Sequence, residues 1–194
     1  MIRSRQEYLA YLEADRINLG CKKRLTTYLF HDIWRYQRLL RKIEYYSNCK
    51  HGPVADAYKL WLRYRWYRLG MYLGISVKPN TSGPGLAIVH EGNVRVHFKA
   101  RLGANCRILE DVNIGATGGT SDAPQIGENV FIASGAKVFG AIRIADGIAI
   151  GANAVVVKSF DEPNITIGGV PAKKISSKGA REVGWVPKNT YLGK

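Results

Sequence analysis

Between Val94 and Val157 the chain reads VRVHFKARLGANCRILEDVNIGATGGTSDAPQIGENVFIASGAKVFGAIRIADGIAIGANAVVV, and its period is six. Stepping by six from Val96 meets Leu102, Ile108 and Ile114, then Thr120 as an exception, then Ile126, Ile132, Val138, Ile144, Ile150 and Val156. Ten of these eleven positions are branched aliphatics. Four residues beyond them stand mostly small or apolar side chains, among them Ala100, Cys106, Val112, Gly118, Val130, Ala136, Ile142, Ile148 and Ala154. Glycine directly follows the aliphatic at Gly103, Gly115, Gly127 and Gly151. A helix cannot keep a period of six on one face, and a two-residue strand alternation has no need of glycine at a fixed phase. A coil of short parallel strands has. Each repeat becomes one flat side of a triangular prism, the aliphatic points inward, and the glycine is expected to help turn the corner.

Toward the N-terminus the period changes. Residues Lys78 to Gly85, KPNTSGPG, are dense in turn formers and divide the chain into a helical domain over 1–77, a repeat domain over 78–175 and a tail over 176–194 without a motif. In the first part Leu29, Ile33, Tyr36, Leu40 and Ile43 recur at spacings of four and three, which predicts a helix over 27–47. Leu60, Tyr64, Tyr67 and Met71 predict another over 58–72, after the Gly52-Pro53 break, and a shorter one is expected over 5–15. Both stripes are expected to bury against each other and against the repeat domain. The fold class is mostly β with N-terminal α, a parallel β-helix preceded by a small helical domain.

Apolar residues make up 46% of the 194 and charged residues 23%, the balance of a soluble globular chain. No run approaches the ~20 apolar residues that cross a bilayer. The opening MIRSRQEYLAYLEADR lacks the apolar stretch of a secretory signal, so a cytoplasmic location is expected. Cys21, Cys49 and Cys106 are odd in number, show no ligand spacing and read as reduced thiols. Of the net charge of +14, +9 falls within residues 1–74, in basic clusters such as CKKR at Cys21–Arg24 and RYRWYR at Arg63–Arg68. Two readings of these clusters stand. One is a solvated helix face whose aromatics point into the core; the other is a peripheral contact with an anionic membrane surface. Nucleic acid is set aside, because no binding motif accompanies the charge.

The stretches PGLAIVH at Pro84–His90, LGANC at Leu102–Cys106, VNIG at Val112–Gly115, IGENVFI at Ile126–Ile132, SGAK at Ser134–Lys137, IGANAVV at Ile150–Val156 and GGVPAK at Gly168–Lys173 together resemble the serine acetyltransferase branch of the hexapeptide-repeat acyltransferases. That branch includes enzymes that O-acetylate sugars of bacterial capsules, exopolysaccharides and O-antigens. The resemblance implies a left-handed β-helix, a homotrimer with active sites between neighbouring prisms, and acetyl-CoA as donor.

Acetyl transfer to a hydroxyl needs a base for the proton and a donor for the oxyanion. The resemblance assigns the base to His90, although the six-residue register would send that side chain inward; an irregular first coil is expected to open it outward. His97, Asn93 and Asp122 are candidate acceptor contacts. Along the prism Ala116, Ser134 and Ala152 are expected to border the pantetheine arm, with Lys158, Lys173 and Lys174 near the phosphates of CoA. The carboxylate that orients such a histidine has no match in the ISVKP of Ile75–Pro79, and Glu91 is expected to point away, so the orienting group stays unassigned. No metal is expected, since a hexapeptide enzyme resembling the γ-class carbonic anhydrases needs three His ligands and only His90 and His97 lie in the repeats. In serine-specific relatives an Asp precedes the catalytic His, and an Arg-His pair precedes the Pro of the following loop. Here those positions hold Val89 and Asp122-Ala123. A pocket for a zwitterion without these charges is disfavoured, so the expected acceptor is a sugar hydroxyl of a surface polysaccharide, shaped by the loop Ala116–Gln125. Serine is the alternative.

Overall fold

In a computed structural model, which describes residues 1–119 and 122–184, four helices lead into three stacked sheets. Thr120 and Ser121, within the loop Ala116–Gln125, and the last ten residues of the tail lie outside the described residues.

Helix α1 (Arg5–Leu19) starts where the Ser4 hydroxyl accepts from the Glu7 N–H at 3.1 Å, and stops at Gly20, whose φ of 74° is left-handed. The helix expected over 27–47 is two: α2 (Leu25–Phe30) and α3 (Asp32–Cys49). Between them His31 is extended (φ −91°, ψ 93°), and its ring Nδ1 accepts the Trp34 N–H at 3.2 Å, capping α3. Ile33, Tyr36, Leu40 and Ile43 are buried as expected, while Leu29 on α2 is exposed. Helix α4 (Pro53–Leu73) begins with proline, whose missing N–H costs nothing there, and ends at Gly74.

The stripe Leu60, Tyr64, Tyr67 and Met71 does not bury; all four side chains are exposed. Helix α4 turns in Leu62, Gly70 and Leu73 instead, with Trp66 and Leu69 partly packed. Gly70 explains the choice. A Cβ there would lie 2.6 Å from the Ile75 carbonyl oxygen and 3.1 Å from the Tyr36 ring, so only the glycine face can approach α3 this closely. The aromatics of the basic cluster divide accordingly: Trp66 stacks on Tyr36 at 5.9 Å, and Tyr64 and Tyr67 face outward.

The strands that follow are β1 (Ile75–Val77), β2 (Ala87–Ile88), β3 (Val94–Val96), β4 (Arg101–Leu102), β5 (Arg107–Ile108), β6 (Asn113–Gly115), β7 (Gln125–Ile126), β8 (Phe131–Ile132), β9 (Lys137–Phe139), β10 (Arg143–Ile144), β11 (Ala149–Ile150), β12 (Val155–Val156), β13 (Thr166–Gly168) and β14 (Lys173–Ser176). They sort into three faces: β1-β3-β6-β9-β12, then β4-β7-β10, then β2-β5-β8-β11-β13 with β14 added antiparallel. All other pairings are parallel, each strand lying on its counterpart one coil away. The first face stacks Val77, Val96, Ile114, Val138 and Val156 in register, the second Leu102, Ile126 and Ile144, the third Ile88, Ile108, Ile132, Ile150 and Ile167. All thirteen are buried. The six-residue column is therefore the interior.

The glycines that follow the aliphatics do not turn the corners. At Gly103 a Cβ would meet the Gly127 carbonyl at 2.6 Å, so the residue allows the next coil to sit close. Left-handed backbone, which a corner demands, falls instead on residues such as Asn105 (φ 59°) and Asn129 (φ 55°), two positions after those glycines.

Buried polar side chains fix the helices to the first coil. Arg41, fully buried, donates to both Asp15 oxygens (2.7 and 3.1 Å), to Glu44 (3.0 Å) and to the carbonyls of Ser82 (3.0 Å) and Gly83 (2.6 Å). The Gln37 amide donates to the Leu86 carbonyl at 2.7 Å and accepts from the Ile88 N–H at 3.0 Å, the groups a preceding coil would otherwise pair. Tyr36 accepts from the Val77 N–H at 3.0 Å.

Candidate active site

The chain passes from the third face to the first at one edge of the prism and from the first to the second at another, so residues between β2 and β3, β5 and β6, β8 and β9, and β11 and β12 stack along a single edge. His90 lies on it. The interior positions Ile88 and Val96 are eight residues apart where the repeat prescribes six. The two added residues form a turn that lifts His90 out of the interior register, and its side chain is exposed. The turn is not loose. Its Gly92 N–H donates to the Leu73 carbonyl at 2.9 Å and the Val94 N–H to Gly74 at 3.1 Å, both at the end of α4, while Gln37 holds Ile88 on the other side.

One coil further on stands a residue the sequence analysis did not single out, Glu110. Its Cβ lies 3.0 Å from where a Gly92 Cβ would be, which places it against the His90 turn. The Gly135 N–H donates to the Glu110 carbonyl at 3.0 Å and the Asn153 N–H to that of Ser134 at 2.9 Å, so Glu110, Ser134 and Ala152 continue the edge above His90. The Glu110 carboxyl is held below its ordinary range, first by the Ser134 hydroxyl, then by its own backbone N–H, with the charge of His90 acting in the same direction. One of its oxygens, Oε2, is shielded from solvent and takes no hydrogen bond among the described residues. A carboxylate with a spare acceptor beside an imidazole can hold the ring and stabilise the imidazolium that forms when it takes a proton. Glu110 is two residues beyond Ile108 as His90 is two beyond Ile88. That spacing was the available signal, hidden by the eight-residue step.

The other candidates divide between edges. Asn93 closes the His90 turn and is exposed. His97, Ala116, Asp122 and Lys158 lie on the edge between the first and second faces, one sheet width from His90, so one chain does not bring Ala116 together with Ser134 and Ala152. The His97 Nδ1 accepts the Lys99 N–H at 3.3 Å and its ring lies 4.5 Å from that of Phe98. Asp122 is exposed, with Lys99 at 3.8 Å, and Lys158 reaches over Phe160 at 5.4 Å. Lys173 and Lys174 are on β14, where Lys174 is engaged by Glu162 at 2.6 Å. Where serine's charged partners were sought, Val89 is half-buried and Ala123 buried. Among the described residues no three His, Cys, Asp or Glu stand together as metal ligands, and no helix is long and apolar enough to cross a membrane.

No protein-family model matches the chain. A curated serine acetyltransferase of Staphylococcus aureus is 36% identical over 183 residues, spanning 92% of this chain and 80% of the relative. That of Staphylococcus epidermidis is 33% identical over the same span. Among solved structures, a serine acetyltransferase of Neisseria gonorrhoeae superposes with a TM-score of 0.72 at 27% identity, covering 93% of this chain and 71% of that one. A soybean serine acetyltransferase complexed with serine gives 0.68 at 27% identity, covering 88% and 69%.

Proposed function

The chain belongs to the serine acetyltransferase family, with the left-handed β-helix and helical N-terminal region of that group of acyltransferases, and from this we propose that it transfers the acetyl group of acetyl-CoA to the hydroxyl of serine. The sugar acceptor expected from the sequence is overturned by the same relatives, all of them serine acetyltransferases. The weakness in that expectation was to treat the missing clamps at Val89 and Asp122-Ala123 as a change of substrate. A looser grip on the same substrate accounts for them equally, and the KM for serine is expected above roughly 1 mM, the upper end of the ordinary range.

The single observation that carries the mechanism is the placement of His90 on an exposed edge with Glu110 beside it. His90 takes the proton as the serine oxygen forms its bond to the thioester carbonyl carbon. Glu110 is a positioning residue that holds the imidazole and balances its charge. When the carbon–sulfur bond breaks, the proton returns from His90 to the departing sulfur, which leaves as the CoA thiol. Ser134 and Ala152 are small enough for the pantetheine arm to lie along the His90 edge, and Lys158 and Lys173 supply cations for the phosphates.

The division of the candidates between two edges supports a homotrimer, in which the Ala116–Asp122 edge of one prism meets the His90 edge of the next. Serine-dependent release of CoA thiol by the purified protein, and its loss by about 10²-fold or more in His90→Ala with the fold retained, is the expected result. Absence of serine-dependent release at any concentration overturns the acceptor, and full activity of His90→Ala overturns the base.

A further inference from the structure

The helical layer carries a groove of about 790 Å³ between α1, α2, α3 and α4; its lining runs along α4 as far as Tyr72 and includes none of the residues of the His90 edge. Arg35, Arg38, Lys42, Arg65 and Arg68 line it, and no Asp or Glu does among the described residues. Asp32 engages Arg35 from outside at 2.5 Å. Three of the other four cations have rings as neighbours: Arg38 sits 3.4 Å over Tyr28, Lys42 5.2 Å from Tyr58, Arg65 4.8 Å from Trp61. One Nη of Arg38 donates to the Tyr28 carbonyl at 2.9 Å, its Nε is shielded and has no acceptor among the described residues, and burial lowers the affinity of this guanidinium for its proton.

Apolar side chains surround these cations on the outer surface. Helix α2 buries nothing: Leu25, Tyr28, Leu29 and Phe30 are between 48% and 79% exposed, and they directly follow Lys22-Lys23-Arg24. Across the groove Tyr64 and Tyr72 of α4 are exposed as well. Of the two readings of the basic clusters, a solvated face with inward aromatics holds for Trp66 but not for Tyr64 and Tyr67, nor for Tyr28 and Phe30 of α2. An exposed apolar patch of this extent marks a binding surface.

We propose that this face docks on an anionic phospholipid bilayer, with α2 and the outer aromatics of α4 in the interfacial zone and the groove cations against the headgroup phosphates. Charge decides against a second copy of the chain. A two-fold contact is self-complementary and would set this cationic lining against an identical cationic lining, with no carboxylate among its described residues to offset the charge. Exposed Phe, Tyr and Leu interleaved with Arg and Lys suit the water–lipid boundary, where rings lie at headgroup level and cations meet phosphate.

The test is co-sedimentation of the full chain with phosphatidylglycerol-containing and with pure phosphatidylcholine vesicles, together with quenching of tryptophan by brominated acyl chains. Binding to the anionic vesicles alone is expected, with quenching, and with weakening at high salt. Each cation removed in Arg65→Gln and Arg68→Gln should lower the partition about fivefold, and Leu25→Ser with Phe30→Ser should abolish quenching at an unchanged far-UV spectrum. Equal binding to both vesicle types, or to neither, overturns the proposal. So does equally tight binding of soluble polyglutamate without quenching, which would point to an acidic protein. A doubling of mass in sedimentation that Phe30→Ser reverses, with vesicles unbound, would assign the face to a second copy. None of these readouts depends on acetyl transfer, so they stand apart from the test of the acceptor.

Discussion

The prism and the helical layer solve the same problem in opposite ways. In the prism every interior aliphatic is one member of a column, flanked above and below by near-equivalents and held by backbone hydrogen bonds to the adjacent coils. Stability is spread over many similar contacts. The helical layer is joined to it through a few buried polar side chains, Arg41, Asp15, Gln37 and Tyr36, each with partners no neighbour can replace. Concentrating the attachment in those residues leaves the outer face of α4 without a structural duty, and its apolar side chains stay exposed.

The largest test of this contrast is Arg41→Ala, which strands two buried carboxylates and should cost about 3–5 kcal/mol in chemical denaturation. A loss below about 1 kcal/mol would show that the layers are joined by packing rather than by this residue. Next comes Ile132→Ala inside the prism, expected to destabilise by about 2–5 kcal/mol through the cavity it opens. If the loss is confined to one part of a biphasic transition, the stacked coils do not unfold as a unit. Glu110→Gln touches the edge, not the interior. It should lower kcat about tenfold, with the KM for acetyl-CoA and the melting temperature unchanged; an unchanged kcat would remove Glu110 from the mechanism. The smallest effect belongs to Leu60→Ala, expected within about 0.5 kcal/mol of wild type. A loss like that of Ile132→Ala would mean that α4 is covered in solution.

What could be read from the sequence follows the same division. The period of six located the interior at Val96, Leu102, Ile108 and their successors because a column leaves its mark wherever it passes. Single decisions left weaker marks. Two apolar stripes compete along α4, and Gly70 settles which one packs through a close approach invisible to periodicity. His31 splits one expected helix in two by capping the second with its own ring. At the candidate site the motif singles out His90 and the structure shows its expected outward direction, but nothing in the motif points to Glu110. The partner was sought in the first coil, near Ile75–Pro79 and Glu91, whereas stacking brings His90 its neighbour from twenty residues downstream. An enzyme on a solenoid draws its site from residues in the same phase of different coils, not from residues adjacent in the chain.

Nothing in a six-residue repeat says where to stop. Each coil presents the same unpaired backbone groups to the next, and an uncovered end would accept another chain as readily as its own continuation. At the first coil Gln37 occupies two of those groups on the third face with a side-chain amide, a copy of the peptide bond it displaces. At the far end of that face β14 runs antiparallel, against the direction of stacking. These two devices act as chain terminators. They make the difference between a particle of fixed length and a filament, and a substitution at Gln37 would be felt first as a change in solubility.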